Sequence, residues 1–569
     1  MLHTTTHRFA VPTFATALIL QAVMGQTDAP GAVQLQSRAA AAFTSNSPSG
    51  NVEISGNGRF VAFASRANNL VPGDTNGRTD IFVRDRLTGS IERVNVSNSG
   101  VQANDHCYYP SISDDGNRVA FYGFATNIVP GNATLDTVFV RDRAAGTTFR
   151  INGIGGFPAN NKCVTPRISG DGNYVTFETT ATNFVAGDTP NTDCMLVEID
   201  TGAIFAASHA ANGSVGNGFS FSPAVSRDGR YVCFHGTSSN LVAGDTNGAR
   251  DVFRFDRITG QTIRCSVSSA GVQGNGRSWR SSINADGRYV AFNSAANVLV
   301  PNDTNGTFDI FVHDTTTGST ERVSVASNGG EATGFNSSQC FPNVSEDGRY
   351  VTFLSDLSGM VAGTGPGFHF YRHDRTTNTT LLVDTDAAGV GGSQGVQAAY
   401  SDGVFSHNER ATQSADGQVV AFTSRSINLF GGNTLLDRVY AKDLGIAATS
   451  PGPAMVGGSA VTDLAAASYA GAFYVGAFAL GYQGGVMLPG DWRLPLDDDF
   501  LLGASAAGGG AFQNNLGSID ANGDAQWSVL VPAIPSLSGL VFYSAAVVFD
   551  FAPGLTVRGV SNAVPFTIQ

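Results

Sequence analysis

A phrase of nine residues occurs seven times in this chain, and it restricts the possible folds more than any other feature of the sequence. One copy reads Ser345-Glu-Asp-Gly-Arg-Tyr-Val-Thr-Phe353, and in every copy a glycine follows Asp or Asn. Because similarity at a regular period is the signature of repeat architectures, the chain is a series of seven similar units. The turn glycines lie 56 to 69 residues apart, at Gly58, Gly116, Gly172, Gly229, Gly287, Gly348 and Gly417.

Each unit has the pattern of four short strands. In the fifth unit, a strand that precedes Asn284 is followed by Tyr289-Val-Ala-Phe292, Asp309-Ile-Phe-Val312 and Arg322-Val-Ser-Val325. Asp-Gly and Thr-Gly are typical of tight hairpins, and they join strands one to two and three to four. The second and third strands are almost continuously apolar, which indicates burial on both faces. Four-stranded units repeated around an axis predict a β-propeller.

The two ends of the repeat series predict how the ring closes. The seventh unit runs from a third strand at Val439–Lys442 into Gly445-Ile-Ala-Ala-Thr-Ser-Pro-Gly-Pro453, which has no strand pattern. The missing strand is found at the other end of the chain, at Val33-Gln-Leu-Gln-Ser37, in the same position relative to Ser55 as Arg93 has relative to Ser113. We therefore predict that the amino-terminal segment completes the last blade and covers its open edge, giving seven blades.

The repeated phrase Ser-x-Asp-Gly-Arg-Tyr-Val-Ala-Phe resembles the PD40, or WD40-like, repeat of TolB-type propellers, over residues 33–445. The resemblance implies an all-β, seven-bladed propeller. It implies no particular chemistry, because that family contains periplasmic scaffolds, sensors and the propeller halves of some peptidases.

The remaining carboxyl-terminal part is predicted to be a separate small domain. Residues 446–455 read as a linker, and 456–569 carry short apolar runs such as Leu540–Phe549 with Asp-x-Asn-Gly turns. This pattern favours a β-sandwich. The region resembles terminal modules of exported proteins of planctomycete-type bacteria, which implies surface retention or a partner contact.

Charge and the first residues bear on location and partners. A net charge of −13 argues against binding to nucleic acid, which requires a basic face. Residues 1–25 carry His3, His7 and Arg8 before an apolar stretch, as in a cleaved signal peptide, so we expect a secreted, periplasmic or cell-surface protein. No other segment reads as a membrane span.

Six cysteines are too few to form a disulfide framework in a chain of this length. Cys107 and Cys163 occupy equivalent positions in adjacent units and are the best candidate pair. Free buried thiols are the favoured interpretation.

The turn pattern assigns the two faces of the disc. The Asp-Gly and Thr-Gly turns close alternate strand pairs, so they share one face, here called the short-turn face. The second-to-third-strand loops and the links between units share the other, the long-loop face, where function is expected. Aromatic and cationic residues recur in the links, and such a mixture suits a sugar or a peptide, although the same side chains could simply pack the loops together. They are Phe219, Phe221 and Phe341 together with the candidate ligand-binding residues His106, Tyr108, Tyr109, Lys162, Arg277, Trp279, Arg280, His407 and Arg410.

A second recurring loop, Asp-x-Asn-Gly-x-x-Asp, resembles part of a calcium loop because oxygens at positions one, three and seven accompany a glycine bend. The bidentate Glu at position twelve is absent, so a side-chain-stabilised turn without a metal is the alternative. The candidate calcium ligands are Asp74, Asn76 and Asp80; Asp245, Asn247 and Asp251; and Asp303, Asn305 and Asp309.

Catalytic motifs are missing from the sequence. Gly391-Gly-Ser-Gln-Gly395 fits Gly-x-Ser-x-Gly but has neither a strand before it nor a helix after it. We therefore expect a non-catalytic binding or scaffold protein without a certain cofactor. Two alternatives stay open: an extracellular lyase or hydrolase whose active site lies at the central opening, where Asp105, His106, His407 and Glu409 are the candidates, and a structural cell-surface spacer.

Overall fold

A computed structural model supplies the coordinates of this chain. It describes residues 33–444 apart from short gaps, and beyond them the backbone of eight strands between 448 and 567. The gaps within the first part are 39–43, 132–135, 152–156, 186–189, 335–340, 363, 365–366, 387–388, 393–410, 427 and 430–435. The predicted signal peptide, His407, Glu409 and Arg410 lie outside the described residues.

Seven four-stranded antiparallel sheets form a seven-bladed propeller, as predicted. In blades 1 to 6 the strands follow chain order from the first strand outward, whereas in blade 7 the amino-terminal strand is added at the outer edge. The strands are β1 (Val33–Leu35), which belongs to blade 7; β2 (Ser49–Ile54), β3 (Phe60–Ser65), β4 (Asp80–Asp85) and β5 (Ile91–Arg93) in blade 1; β6 (Cys107–Ile112), β7 (Arg118–Gly123), β8 (Thr137–Asp142) and β9 (Thr147–Arg150) in blade 2; β10 (Cys163–Ile168), β11 (Tyr174–Thr179), β12 (Asp193–Glu198) and β13 (Ile204–Ala206) in blade 3; β14 (Ser220–Val225), β15 (Tyr231–Gly236), β16 (Asp251–Asp256) and β17 (Gln261–Arg264) in blade 4; β18 (Ser278–Ile283), β19 (Tyr289–Ser294), β20 (Asp309–Asp314) and β21 (Thr320–Arg322) in blade 5; β22 (Asn343–Val344), β23 (Tyr350–Ser355), β24 (His369–Asp374) and β25 (Thr379–Leu382) in blade 6; and β26 (Thr412–Gln413), β27 (Val419–Ser424) and β28 (Arg438–Asp443) in blade 7.

The amino-terminal strand closes the ring, which confirms the prediction made from the missing fourth strand. β1 pairs antiparallel with β28, with Val33 opposite Lys442 and Leu35 opposite Tyr440. Val33 and Leu35 are buried, at 3% and 1% exposure. The Val439 amide donates to Ser37 Oγ at 3.1 Å, which extends the join beyond the strand.

The apolar core lies between neighbouring blades, as the continuous apolar runs predicted. The phenylalanine that ends the repeated phrase is fully buried in every blade. In six blades it stacks on an aromatic ring of the third strand, with centroids 5.6 to 5.9 Å apart; the pairs are Phe63–Phe82, Phe121–Phe139, Phe234–Phe253, Phe292–Phe311, Phe353–Tyr371 and Phe422–Tyr440.

A second contact between blades explains why the repeated phrase contains an aromatic residue and a glycine. Tyr174 lies against Gly229 of the next blade so closely that a Cβ at Gly229 would be 2.0 Å from Tyr174 Cδ2. Arg257 covers the same ring at 4.7 Å from its centroid. Gly229 also has φ +70, in the left-handed region that favours glycine. The same ring-on-glycine contact joins four further blade pairs, through Phe60–Gly116, Tyr231–Gly287, Tyr289–Gly348 and Tyr350–Gly417.

The long connections are hydrogen-bonded to one another, as expected if they share a face. Asn104 lies in the link before β6 and bonds to the loop that follows β7. Its backbone amide donates to Asn127 Oδ1 at 3.0 Å, and its side-chain Oδ1 accepts from the Thr126 amide. Equivalent amide-to-asparagine bonds recur at Asn46–Asn69, Asn160–Asn183 and Asn217–Asn240.

The carboxyl-terminal part contains strands, which agrees with the predicted all-β class. β29 (Ala448–Thr449), β30 (Ser459–Ala465) and β33 (Asp524–Leu530) form one sheet. A second sheet is five-stranded and contains β31 (Phe473–Leu480), β32 (Leu516–Ser518), β34 (Val541–Asp550), β35 (Thr556–Val560) and β36 (Val564–Thr567). That the two sheets pack as a sandwich stays a prediction.

Candidate functional site: the mouth of the central channel

The first strands of the blades line a central channel. Together they enclose a cavity of about 170 Å³ with a mostly polar wall. Every blade contributes to it; the contributing residues include Glu53, Ser111, Arg167, Ser222, Ser282, Asn343 and Gln413.

Five of the first strands contain a β-bulge near the mouth, which was not predicted from the sequence. In each, one non-glycine residue has φ between 49 and 53°; these residues are Asn51, Tyr109, Thr165, Ser222 and Arg280. The pairing of each strand with its neighbour shifts at the same point. A bulge re-aims a side chain and costs about 1–3 kcal/mol where a non-glycine residue is left-handed. Proline follows three of these residues, as Pro110, Pro166 and Pro223, and proline inside a strand was the available signal.

Side chains of the preceding blade stabilise two of these bulges. The Ser222 amide donates to the partly buried Glu178 carboxylate at 2.7 Å, and the Arg280 amide donates to His235 Nδ1 at 3.3 Å. Burial, with Arg250 and Arg280 nearby, lowers the pKa of His235 to about 3. His235 is therefore neutral and can accept this hydrogen bond at ordinary pH.

The predicted residues of blade 2 form an aromatic cluster. Tyr108 stacks on His106 and meets Tyr122, with centroids 5.8 Å apart in both pairs, while Tyr109 stacks on Tyr122 at 5.7 Å. Phe124 packs edge-on against Tyr108 and is 40% exposed. Tyr122 and Phe124 were not predicted, because they lie on and just after the second strand rather than in a link.

His106 is held as a neutral side chain in this cluster. Its Nδ1 accepts from the Thr79 amide at 2.9 Å, and its Nε2 lies 3.2 Å from an Arg78 nitrogen. Burial and the positive charge of Arg78 lower the pKa of His106.

A second cluster joins blades 4 and 5 through an arginine that was not predicted. Arg250 lies over Phe221 at 5.5 Å and over Trp279 at 5.4 Å. Trp279 stacks on Phe308 at 5.5 Å and donates from Nε1 to Asn293 Oδ1 at 3.2 Å. Phe219 stacks on Phe221 and is 49% exposed, so one ring of the cluster faces solvent.

Of the remaining predicted residues, Arg280 lies 3.7 Å from the centroid of Phe341, while Lys162 and Arg277 are exposed at the same end of their blades. The structure therefore groups predicted residues of blade 2 in one cluster and those of blades 4 and 5 in a second, pairs Arg280 with Phe341, and leaves Lys162 and Arg277 exposed.

The predicted calcium ligands also come together, but around an arginine. Arg93 Nη1 lies 3.4 Å from Asp74 and 3.6 Å from Asp80. Asn76 donates from Nδ2 to Asp80 at 3.0 Å, so it presents a donor rather than an oxygen ligand to this carboxylate. Burial raises the pKa of Asp80 to about 6.

Arg264 and Arg322 repeat this arrangement in blades 4 and 5. Arg264 Nη1 lies 3.6 Å from Asp245 and 3.7 Å from Asp251. Arg322 Nη1 lies 3.4 Å from Asp303, 3.5 Å from Asp309 and 2.6 Å from Glu331. Asn247 and Asn305 donate to Asp251 and Asp309 as Asn76 does to Asp80. The carboxylates Asp303, Asp309 and Glu331 lie within 4.8 Å of one another, close enough to share a metal ion. The sequence analysis missed Glu331, which comes from the following link.

The described cysteines are buried free thiols, as favoured from the sequence, and Cys107 and Cys163 are not bonded to each other. Burial raises the pKa of Cys107 above its usual range. Among the described residues there is no helix long and apolar enough to cross a membrane.

No protein-family model and no curated protein matches this chain. Solved propellers are similar to it in fold. A TolB-type protein of Agrobacterium tumefaciens is 15% identical, with a TM-score of 0.33, and the match covers 62% of this chain and 94% of that one. The RRP9 WD40 repeats are 8% identical, with a TM-score of 0.37 and coverage of 74% and 99%. The tricorn protease is 10% identical, with a TM-score of 0.22, and the match covers 91% of this chain but 49% of that protein. Likeness at this level carries no argument about function.

Proposed function

We propose that this protein is an exported, non-catalytic binding or scaffold propeller that presents the mouth of its long-loop face to a protein or glycan partner. The observation that carries the proposal is the pair of aromatic and cationic clusters at the mouth. Exposed aromatic rings such as Phe219 and Phe124 provide apolar area for a sugar ring or an apolar side chain.

The charge at the mouth favours a partner that carries acidic groups. The chain as a whole has a net charge of −13, yet Lys162, Arg250, Arg277 and Arg280 lie at or beside the mouth. Arginine binds carboxylate, sulfate and phosphate groups with two parallel hydrogen bonds and stacks on rings. An acidic polysaccharide or an acidic peptide therefore fits this surface better than a basic partner.

The state of the mouth histidines supports the non-catalytic part of the proposal. A general base at neutral pH needs a pKa near 7 and a free nitrogen. Instead, the pKa of His235 is lowered to about 3, and the nitrogens of His106 are used by Thr79 and Arg78. Both rings act as structural hydrogen-bond acceptors.

Glycan and peptide arrays test the proposal. Trp279→Ala removes the ring between Arg250 and Phe308, and because buried tryptophans at interfaces commonly contribute 2 kcal/mol or more, we expect array signals to fall by about thirtyfold. The matched control is Ile258→Ala, which removes a 63% exposed apolar side chain from a turn on the short-turn face and should bind like the wild type.

Three results would overturn the proposal. Equal binding by wild type and Trp279→Ala would remove the mouth as the binding surface. Release of cleaved fragments from a bound glycan or peptide would make the protein an enzyme. Binding to no array would favour the spacer alternative.

A further inference from the structure

The channel is shaped at its other end by a single variable position of the repeated phrase. The residue after the first Ser or Asn alternates between small and charged around the ring. In chain order it is Gly56, Asp114, Gly170, Arg227, Ala285, Glu346 and Ala415. Blades 2, 4 and 6 therefore carry a charge at this position, and the blades between them carry glycine or alanine.

Backbone hydrogen bonds join these seven turns in a closed ring. The Asp114 amide donates to Gly170 O at 2.9 Å, Glu346 donates to Ala415 O at 2.9 Å, and Ala415 donates to Gly56 O at 2.8 Å. The remaining links, at 3.0 to 3.3 Å, are Asn57 to Asp114, Asp171 to Arg227, Arg227 to Ala285 and Ala285 to Glu346. All seven positions line the central cavity, so the ring narrows the channel at the short-turn face.

The three charged side chains meet across this ring, and we call them the cross-brace (Asp114, Arg227 and Glu346). Arg227 Nε lies 2.7 Å from Asp114 Oδ2 and 3.9 Å from Glu346 Oε2. The Asp114 and Glu346 carboxyl groups also lie within hydrogen-bonding reach of each other. The cross-brace thus connects blades that are not neighbours in the ring.

The small residues are required by the cross-brace. A Cβ at Gly56 would lie 2.4 Å from Asp114 Oδ1, and one at Gly170 would lie 2.4 Å from Asp114 Oδ2 and 2.7 Å from Arg227 Cγ. Neither glycine has a left-handed backbone, so space rather than conformation is what these positions need. Gly56 and Gly170 therefore leave the space that the cross-brace occupies.

The net charge of the cross-brace depends on whether one of its two carboxyl groups is protonated. A hydrogen bond between two carboxyl groups needs one of them to be protonated, and two carboxylates with one guanidinium carry a net charge of −1. Burial and the neighbouring Asp114 raise the pKa of Glu346 to about 7, with Asp347 acting in the same direction and Arg227 against it. Asp171 faces Arg227, and deeper in the channel Glu53 pairs with Arg167 at 3.5 Å.

We propose that the cross-brace is a pH-sensitive latch, in which a proton on Glu346 that is hydrogen-bonded to Asp114 holds the ring of seven turns together at the short-turn face. When that proton leaves, the two carboxylates repel each other and the ring of seven turns loosens.

The sign of the pH dependence follows from the direction of the shift. The folded protein keeps a proton on Glu346 that the unfolded chain releases near pH 4.5. The stabilisation is therefore fully present at acidic pH and is lost as the pH rises through about 7. A carboxylate paired only with arginine would show the opposite trend.

Hydrogen exchange of the turn amides and thermal melting test the latch in the full chain between pH 5.5 and 8.5. In the wild type, exchange of the Asp114 and Glu346 amides, corrected for its intrinsic pH dependence, should rise about thirtyfold between these pH values, because about 1.5 pH units separate pH 5.5 from the Glu346 pKa of about 7. The Tm should fall over the same range. Glu346→Gln donates to Asp114 at every pH, so the corrected exchange of these turn amides should be flat across this range. Its Tm should fall less than that of the wild type, because Asp80, with a pKa of about 6, titrates in both proteins. Glu321→Gln, an exposed pair partner of Arg375, is the matched control and should follow the wild type.

A flat wild-type profile would overturn the latch, and so would a Glu346→Gln profile that matches the wild type. If Glu346→Gln does not fold, Asp114→Asn makes the same test, because it also removes one of the two charges. Neither outcome depends on whether the mouth binds a partner.

Discussion

The contact between Tyr174 and Gly229 allows a quantitative test of how the blades are joined. Gly229 and Gly260 have almost the same backbone, with φ +70 and φ +69. A Cβ at Gly229 would lie 2.0 Å from Tyr174 Cδ2, whereas nothing lies within 4 Å of one at Gly260. The two Gly→Ala variants therefore share the conformational cost and differ only in the contact between blades.

The expected losses follow from these two terms. An alanine in the left-handed region costs about 1–2 kcal/mol, which is the whole expected loss of Gly260→Ala. Overpacking adds about 1–3 kcal/mol, so Gly229→Ala should lose about 2–5 kcal/mol. Two contacts hold the Tyr174 side chain in place. Arg257 covers its ring at 4.7 Å from the centroid, and the Tyr174 hydroxyl donates to Glu198 at 2.7 Å.

Calorimetry and a double-mutant cycle measure this difference. With about 2.1 cal/mol/K of unfolding entropy per residue over a ring of this size, each kcal/mol shifts the Tm by roughly 1 °C. Gly229→Ala should therefore melt about 1–3 °C below Gly260→Ala. In a Tyr174→Ala background, the extra cost of Gly229→Ala should disappear. Equal losses in the two glycine variants, or an unchanged cost without the tyrosine ring, would refute the reasoning.

Two further predictions concern ring closure and calcium. Leu35→Ala removes a side chain that is 1% exposed in the closing strand, so we expect a loss of about 2–5 kcal/mol and faster amide exchange in β28; unchanged exchange there would contradict closure by β1. Calcium should raise the Tm, and a chelator should lower it. The Arg322→Gln variant should respond more strongly, because it removes the guanidinium that pairs with Asp303, Asp309 and Glu331. No change of Tm in either protein would contradict the calcium prediction.

The features that the sequence predicted correctly depend on local chemistry. The turn glycines, which have positive φ, and the apolar second and third strands specify each blade within one unit. Closure was predictable because a missing fourth strand in one unit matched an unused strand pattern at Val33–Ser37. The register of that pairing, with Val33 opposite Lys442, needed the coordinates.

The features that were missed depend on where the ring places distant residues. Asp114, Arg227 and Glu346 occupy a position that varies among the repeats, and each is separated from the next by more than one unit, so only the closed ring brings them together. Arg250 was missed because it lies before a third strand rather than in a link, and it meets Trp279 only across a blade boundary. The sequence thus named candidate residues, whereas the contacts among them needed the closed ring.

The binding face is tested most directly by hydrogen exchange of the wild type with and without the ligand that binds most strongly on the arrays. Our account predicts slower exchange in 104–109, 219–222 and 277–281, which contain the two clusters at the mouth, and no change in the short turns at 86–90 and 257–260. Protection confined to those turns, or none at the mouth, would contradict it.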